Sequence, residues 1–433
     1  MPPLDRARTD PYRLYLAMRV GLSFMVGMAF TTSVVYRIEE GGLDPFQLLM
    51  IGTVLEATYL LFQLPTGFLA DLVSRRACVV AGFGVYAGGL LWQGLTSEFW
   101  VHLAAQVLLA LGAALWSGAL ESWVADETRR AEMTPVYLRA TQLGFIGGIT
   151  GSLLSGVLAS VALNLPMLVG GALMALGTVA LALMMPERHF QRPAKDGRVT
   201  TVLRQARTEA GVQVRASRRA ARVVPGLVLL LGMTFAFGLW SESYDRLSGA
   251  FLLEEIGFPE TFGLEPAMWF ALISCVVALA GIGLTEWAGR RTARLGSGGI
   301  IGMLAGFTVV SLVGVIGYSL SGAFWVAIGF LLLLSAARPL YEPLVNGWLV
   351  VRVEPKVRAT ALSARDMFDS GGQIVGGPVI GAVGSAFSLR AALLTGAAVL
   401  VPAILFLFGM ERKAKTADRD EPRNEPITAG DRG

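Results

Sequence analysis

Several carboxyl groups interrupt stretches of this sequence that are otherwise apolar. Glu56 lies in the body of one such stretch, and Asp366 and Asp369 lie in another. In a membrane, a charge near mid-depth costs at least about 2.5–3.5 kcal/mol and must face protein or water. Burial without a basic partner favours the neutral carboxyl, which can then carry a proton. We therefore predict Glu56, Asp366 and Asp369 as proton-coupling residues; for Glu56 the alternative is an ion pair with Arg365 or Arg19 across a helix interface.

Asp366 and Asp369 form a charged cluster with Arg365. Arg365 and Asp369 are four residues apart, so we expect them to pair on one face of a helix. Asp366 then points elsewhere and needs another partner. The cluster holds either a titrating carboxylate where two halves of the protein meet, or a structural ion-pair network that fastens those halves together.

A second charged segment reads Arg338-Pro339-x-x-Glu342-Pro343. The spacing of Arg338 and Glu342 predicts another pair on one helix face. The two prolines remove backbone hydrogen bonds and predict a kink, and Asn346 follows one turn later. We expect this segment to contact a substrate or to act as a gate. The alternative is a kinked packing helix whose charges satisfy each other.

A third charged segment, Glu242-Ser243-Tyr244-Asp245-Arg246, ends an apolar run. Glu242 and Arg246 can pair, and Trp240 and Tyr244 add aromatic faces, so we expect a gate or a cavity rim. The alternative is an interfacial belt of aromatic and long charged side chains. The residues predicted to line a substrate cavity are Arg19, Trp240, Glu242, Tyr244, Asp245, Arg246, Arg338, Glu342, Asn346 and Arg365.

Long apolar helices must position these residues. Of the 433 residues, 54% are hydrophobic and 16% charged, whereas soluble proteins carry about 25% charged residues. Apolar stretches of about 20 residues, long enough to cross the hydrocarbon core, recur along the chain. The predicted fold is an all-α integral membrane protein with twelve transmembrane helices. The predicted spans are Tyr12–Tyr36, Pro45–Leu72, Ala77–Leu95, Phe99–Trp123, Pro135–Ala162, Leu165–Met185, Val224–Leu247, Pro266–Ala288, Gly298–Leu320, Ala323–Val351, Val357–Ser385 and Arg390–Met410.

The two halves of the chain repeat each other. Arg-Ala-Thr opens spans five and eleven, at Arg139 and Arg358, and each is followed by Gly-x4-Gly, at Gly151 and Gly371. Duplicated halves around a midplane site are a transporter architecture, and we expect these glycine-rich faces where the halves meet. The predicted division is a cytoplasmic N-terminal tail (1–10), a six-helix bundle (11–185), a basic central loop (186–222), a second six-helix bundle (223–410) and a disordered cytoplasmic tail (411–433).

Basic residues concentrate in alternate loops and in the central loop. By the positive-inside rule, this pattern predicts a multi-pass protein of the cytoplasmic membrane with both termini and the central loop in the cytoplasm. Val199, Val202, Leu203 and Ala206 repeat at helical spacing among arginines. They predict an amphipathic helix on the lipid surface, and a solvated basic linker is the alternative.

Two joints between spans share one charge pattern. In the first, Asp71 precedes Arg75-Arg76; in the second, Glu286 precedes Arg290-Arg291. Glu121 or Asp126, at the end of span four, can accept the arginines of the first joint. Because the joint occurs twice, we predict a gating role, and topology signalling alone is the alternative. The predicted gating residues are Gly67, Asp71, Arg75, Arg76, Glu121, Asp126, Glu286, Arg290 and Arg291.

The first joint resembles the signature Gly-x-x-x-Asp-Arg/Lys-x-Gly-Arg-Arg of the major facilitator superfamily, through Gly67, Asp71 and the arginine pair. Leu72 and Ser74 depart from it, where a basic residue and a glycine are usual. The resemblance covers nearly the whole chain. It implies that spans one, four, seven and ten line a cavity and that every third helix is peripheral. The residues agree, because the apolar runs of spans three, six, nine and twelve carry no charged residue.

The expected function is secondary transport by alternating access. The sequence has no ATP-binding loop, no metal-ligand spacing around its two histidines and no enzyme motif, so we expect no cofactor and no catalysis. Basic residues confined to loops argue against nucleic-acid binding. Proton-coupled export of a small organic molecule, by a monomer, is the first prediction. Proton-coupled uptake of a nutrient and a non-transporting sensor or assembly protein are the alternatives.

Overall fold

The computed structural model describes residues 9–130, 132–190, 204–209, 226–292, 297–353 and 355–420, with a few isolated positions between 211 and 224. Over these ranges it contains helices and no strands. Twelve helices have the length of a membrane span: α1 Pro11–Glu39, α2 Pro45–Leu72, α3 Arg75–Leu95, α4 Phe99–Thr128, α5 Thr134–Ala159, α6 Leu165–Met184, α7 Leu227–Ile256, α8 Pro266–Thr292, α9 Ser297–Leu320, α10 Phe324–Leu349, α11 Pro355–Ala386 and α12 Leu389–Asp420. The predicted all-α membrane fold is confirmed.

Eleven of these helices are both long and apolar enough to cross a membrane, counted over the described residues. The remaining helix, α11, is 32 residues long. It carries Arg365, Asp366 and Asp369 in its first half. Its polarity shows that it faces other helices or water over much of its length.

Local sequence signals set where the helices begin. Asp44 caps α2, and its carboxylate accepts the Gln47 amide at 2.9 Å while the Gln47 side chain accepts the Asp44 amide at 3.0 Å. Ser74 caps α3 through the amide of Ala77 at 2.9 Å. Both arrangements satisfy backbone donors that a helix start leaves without partners.

The chain forms two halves, each with its own hydrophobic core. One core lies within α1–α6, and the other gathers α7–α12 together with residues at the α1–α2 turn, such as Val35 and Leu49. We call the membrane side of Arg75, Arg129 and Arg290 the Arg-rich side, and the opposite side the Arg-poor side. Since the α1–α2 turn is on the Arg-poor side, the two halves share a core there.

The seam between the halves is built from α2 against α11 and from α5 against α8. A Cβ on Gly377 of α11 would overlap the Thr53 hydroxyl of α2, so only glycine permits this approach. The Ser385 hydroxyl of α11 donates to the Asp44 carboxylate at 3.1 Å. In the second helix pair of the seam, the Cys275 thiol of α8 lies 3.8 Å from the Ile149 carbonyl oxygen of α5. These contacts lie in the Arg-poor part of each helix and close that side.

The expectation that the glycine-rich faces lie between the halves is wrong for most of their members. Gly147 and Gly151 of α5 pack on α1, and Gly372 and Gly376 of α11 pack on α7, so these contacts stay within one half. Glycines at both kinds of interface have the same sequence signature, because close helix approach is needed inside a half as well as across the seam.

Some predictions concern residues outside the described ranges. The proposed amphipathic helix of the central loop includes Val199, Val202 and Leu203, which lie outside them; Ala206 lies in the helical segment 204–209. Helix α12 continues to Asp420. The predicted disordered tail begins at residue 411, whereas residues 411–420 continue α12 as a helix; the rest of that tail lies outside the described residues.

Candidate functional site

A cavity of about 630 Å³ lies between α7, α10 and α11. Its size is in the range of small-molecule sites, about 300–1,000 Å³. The lining residues are Phe237, Ser335, Arg338, Pro339, Tyr341, Glu342, Pro343, Asn346, Arg365 and Asp369. The structure therefore brings together four of the predicted cavity residues, Arg338, Glu342, Asn346 and Arg365, with the predicted coupling residue Asp369.

The cavity is open to water. The side chain of Glu342 on its wall is 67% exposed, and that of Asp366, next to the lining residue Arg365, is 58% exposed, although both lie well inside their helices. Because the Arg-poor side is closed by the seam, the water reaches these charges from the Arg-rich side. Mid-span charges are then hydrated and do not face lipid.

Helix α10 breaks where its prolines predict. One 3-10 turn at Arg338–Leu340 separates two α-helical segments. The predicted pair of Arg338 with Glu342 is wrong, since Arg338 donates to both carboxylate oxygens of Asp245 on α7. A 3-10 turn has three residues per turn, so residues four apart no longer lie one above the other. The break thereby turns Arg338 toward α7, and Glu342 lies near Arg365 of α11 instead.

The cluster on α11 also pairs differently from the prediction. Arg365 donates to Asp366 at 2.7 Å and lies 3.4 Å from Glu342 of α10. Asp369 instead accepts from Gln373 at 2.9 Å, and its Oδ1 is buried with no hydrogen-bond partner. Arg365 is engaged by Asp366 on its own helix and by Glu342 of α10, and not by Asp369. The incompletely satisfied carboxylate at this site is thus that of Asp369, whereas Asp366 was expected.

Two aromatic rings form an apolar wall that the sequence analysis missed. Phe237 and Tyr341 stack with ring centroids 3.5 Å apart and an interplanar angle of 11°. The Arg365 guanidinium lies 6.0 Å from the Tyr341 centroid, within cation–π range. Tyr341 lies between Arg338 and Glu342 in the sequence, so its position in that charged segment could have predicted it as a cavity residue. Phe237 lies in a continuous apolar run and gives no signal.

Glu56 lies on α2, the helix of the first half that packs against α11 at the seam. One turn earlier, Gly52 packs against Glu242 and Arg246, which pair at 3.1 Å as predicted. Glu56 is half-buried, and its electrostatic neighbours are Glu242, Arg246 and Asp369. Among the described residues none forms an ion pair or a hydrogen bond with its carboxyl group. Neither alternative partner named from the sequence, Arg365 or Arg19, reaches it.

Other predicted cavity residues lie elsewhere. Trp240 and Tyr244 are buried and stack at 5.9 Å inside the second half, where the Tyr244 hydroxyl lies 2.6 Å from that of Ser335. The alternative of an interfacial aromatic belt is therefore wrong for these two residues. Arg19 lines a different cavity, between α1, α5 and α8. Asp245 and Arg246 line another, on the Arg-poor side.

The first joint forms a network at the Arg-rich end of α2, α3 and α4. Arg75 donates to the Asp126 carboxylate, to the Ser122 carbonyl oxygen at 3.1 Å and to Asp71 at 3.3 Å. Of the two acceptors predicted on α4, Asp126 makes the contact, whereas the Glu121 side chain is exposed. A Cβ at Gly67 would meet no atom within 4 Å, so nothing in this conformation requires a glycine there.

Two acids that the sequence analysis missed tie the segment after α6 to this joint. Glu187 accepts from the Ser74 hydroxyl at 2.7 Å and from the Arg76 amide at 3.0 Å. The buried Glu127 accepts from the amides of Arg188 and His189 at 2.7 and 2.9 Å. Their role depends on how the chain returns from α6, which local spacing does not reveal.

Comparisons with known proteins agree on one family and one fold. The family model of the Major Facilitator Superfamily matches residues 16–337. The chain is 22% identical over 374 residues to an uncharacterized MFS-type transporter of Bacillus subtilis strain 168, YxaM, and the match covers 84% of this chain and 87% of that protein.

Solved structures of the same fold include three kinds of transporter. The nucleoside transporter NupG aligns with a TM-score of 0.71 at 15% identity over 92% of this chain and 98% of its own. A bacterial homolog of the human lysosomal transporter Spinster, in an inward-facing and unoccupied conformation, aligns at 0.70 and 18% identity over 94% and 98%. A POT family transporter in complex with 5-aminolevulinic acid aligns at 0.70 and 13% identity over 92% and 96%.

Proposed function

Because the chain belongs to the Major Facilitator Superfamily, it is a secondary transporter and not an enzyme, and we propose that it exports a small, partly apolar organic compound in exchange for protons. One observation carries the coupling. Two acids from opposite halves, Glu56 and Asp369, are electrostatic neighbours; among the described residues neither forms an ion pair, although Arg246 acts on Glu56 and Arg365 on Asp369 from a distance.

The exchange follows from the charge of this acidic pair. Two carboxylates of like sign repel each other in a medium of low dielectric constant, and they do so across the interface that must rearrange. A proton or a cationic group of the substrate relieves that repulsion. Since both ligands neutralise the same charge, binding of one favours release of the other. Asp369 lines the cavity together with the stacked rings of Phe237 and Tyr341, which offer an apolar surface to the rest of the substrate.

The direction of transport rests on sidedness. By the positive-inside rule the Arg-rich side is the cytoplasmic side, and the cavity opens toward it. A compound in the cytoplasm can therefore enter, and protons arriving from the other side can drive its release. In this assignment the protein belongs to the cytoplasmic membrane, with both termini in the cytoplasm, and acts as a monomer.

Proton-coupled uptake of a zwitterionic nutrient is the second candidate. It is favoured by the cavity wall, where Arg365 and Asp369 line the same cavity and offer one positive and one negative group to a zwitterion. The same carboxylates would serve, since in a symporter protonation of a carboxyl group accompanies substrate binding. The sign of the proton movement separates the two functions.

We further propose that the first joint is a latch of alternating access. Its network lies within the first half and holds the ends of α2, α3 and α4 together. The Asp71 side chain is 60% exposed. When the Arg-rich side closes, Asp71 can meet the N-terminal end of a helix from the second half, where the helix dipole favours an anion.

A proton-flux measurement tests the coupling. Purified protein is reconstituted in liposomes that hold a pH-sensitive dye, and a panel of cationic, neutral and anionic compounds is added under a proton gradient. We expect one class to trigger proton flux in the wild type and in the control Glu286→Gln, and little flux in Glu56→Gln or Asp369→Asn. Substrate exchange without proton flux in the wild type would contradict the proposal and leave these acids as structural groups.

A further inference from the structure

Arg37, in the last turn of the first span, is a buried cation with which no acid pairs among the described residues. Only 5% of the residue is exposed, and its Nε is buried with no hydrogen-bond partner. In the described part of the chain, no carboxylate forms an ion pair with its guanidinium. A guanidinium stays protonated at every physiological pH. A buried, unpaired charge is strongly unfavourable and calls for a ligand of opposite sign.

The surroundings of Arg37 form a cavity between the two halves. A cavity of about 330 Å³ is lined by Thr31, Ser33 and Arg37 from the first half and by Asp245, Arg246 and Ser248 from the second. It lies on the Arg-poor side, where the seam is shut. The site shares no lining residue with the cavity between α7, α10 and α11, although its Asp245 pairs with Arg338 of that cavity.

The charges that line this cavity leave one positive charge uncompensated. Asp245 is engaged by Arg338 through both carboxylate oxygens, and Arg246 is engaged by Glu242 at 3.1 Å. These pairs balance internally. The charged neighbour that acts on Arg37 is Arg246, which has the same sign. The side chain of His102, also close to Arg37, is fully buried and supplies no negative charge.

We propose that a singly charged anion, a halide or a small carboxylate, binds between Arg37 and Arg246 in this cavity. The donors come mainly from the Arg37 guanidinium, because the hydroxyls of Thr31 and Ser33 already donate to the carbonyl oxygens of Gly27 and Phe30. One uncompensated charge fits a monovalent ligand. The volume exceeds that of a single halide ion, so a carboxylate of a few carbons also fits.

The anion bridges the two halves. Arg37 belongs to α1 and Arg246 to α7, so without a ligand the two guanidinium groups repel each other across the seam. A bound anion turns this repulsion into attraction and stabilises the conformation that is closed on the Arg-poor side. The site does not depend on the proposed direction of transport or on proton coupling.

Thermal unfolding at constant ionic strength tests the site. Full-length protein in detergent is titrated with potassium chloride, bromide or acetate, with potassium HEPES as the reference salt. In the wild type, we expect chloride, bromide or acetate to raise the melting temperature by a few degrees above that in potassium HEPES, and the rise to saturate. The control Arg390→Gln, which removes an arginine on the same side that pairs with Glu255 at 3.3 Å, should respond like the wild type. Arg37→Gln should not respond, and in the reference salt it should melt no lower than the wild type.

The arms of this experiment separate the sources of the anion. A response to chloride and bromide alone indicates an inorganic ion, whereas an equal response to acetate indicates that a carboxylate, including one on a substrate, can occupy the site. An anomalous bromide peak within about 3.5 Å of the Arg37 guanidinium in a crystal of the wild type gives an independent readout that needs no variant. An unchanged response in Arg37→Gln, or no anion-specific response and no bromide peak in the wild type, would overturn the proposal.

Discussion

The two joints carry the same charge pattern in the sequence, and the fold places them in different surroundings. At the first joint the helix ends at Leu72 and a new one begins at Arg75, whose side chain is 20% exposed and pairs with Asp126 of α4. At the second, one helix runs through the whole motif, and Glu286 and Arg290 pair at 2.6 Å with 64% and 77% of their side chains exposed.

The difference shows what a repeated motif can and cannot establish. An acid four residues before an arginine produces a local pair in both halves, as its spacing predicts. Other helices can bury the arginine and supply it with a further acidic partner. Among the described residues, this happens only at the first joint. An exposed pair contributes about 0–1 kcal/mol, whereas a charge-assisted network that is partly buried contributes more. The first joint therefore carries most of the proposed latch.

The largest effect is expected from Asp126→Asn. The substitution removes the α4 carboxylate that accepts from Arg75 and leaves the Ser122 carbonyl oxygen and Asp71 as its other acceptors, so the ends of α2, α3 and α4 are held less firmly. We expect the initial rate of substrate exchange in proteoliposomes to fall about tenfold, which corresponds to about 1.4 kcal/mol in the barrier. The control is Glu121→Gln on the same helix, whose exposed side chain accepts no bond from Arg75. Equal losses in both variants would remove the network from the latch.

A smaller effect is expected from Ser74→Ala, which removes the cap of α3 and the bond to Glu187 at 2.7 Å. Loss of a serine cap costs about 1 kcal/mol. Thermal unfolding in detergent measures it, with Ser97→Ala as a control that loses one exposed bond to the Glu40 carbonyl oxygen. A Ser74 variant as stable as the control would show that the helix break does not depend on this cap.

Asp71→Asn should slow exchange about threefold, or about 0.65 kcal/mol, while insertion and expression stay normal. The effect is smaller than that of Asp126→Asn because Asp71 is 60% exposed and lies 3.3 Å from Arg75. Exchange rates normalised to the amount of reconstituted protein measure it. Wild-type rates would show that Asp71 takes no part in gating.

The smallest effect is expected from Glu286→Gln, which should change exchange less than twofold because the pair it breaks is exposed. Double-mutant cycles sharpen the comparison of the joints. The coupling energy between Arg75 and Asp126 should exceed that between Arg290 and Glu286. Equal coupling energies would mean that both joints act alike, as the sequence repetition alone suggested.

The sequence predicted what depends on residues close together in the chain. The spans, the break at Pro339 and the pair of Glu242 with Arg246 follow from hydropathy, proline chemistry and helical spacing. Arg338 does not pair with Glu342 because Asp245 reaches it from α7, and Arg365 does not pair with Asp369 because Asp366 and, from α10, Glu342 engage it. For the same reason the roles of Phe237 and Glu187 could not be predicted. The contacts between helices depend on tertiary packing, and the spacing of residues along the chain does not reveal that packing.

Uphill transport in inverted membrane vesicles tests proton-driven export most directly. In such vesicles the Arg-rich side faces the medium, and the lumen is made acidic. We predict that a substrate identified by proton flux accumulates in the lumen, that an ionophore which collapses the gradient releases it, and that Glu56→Gln abolishes the accumulation. Accumulation instead in right-side-out vesicles, driven by protons that enter together with the substrate, would contradict export and establish uptake.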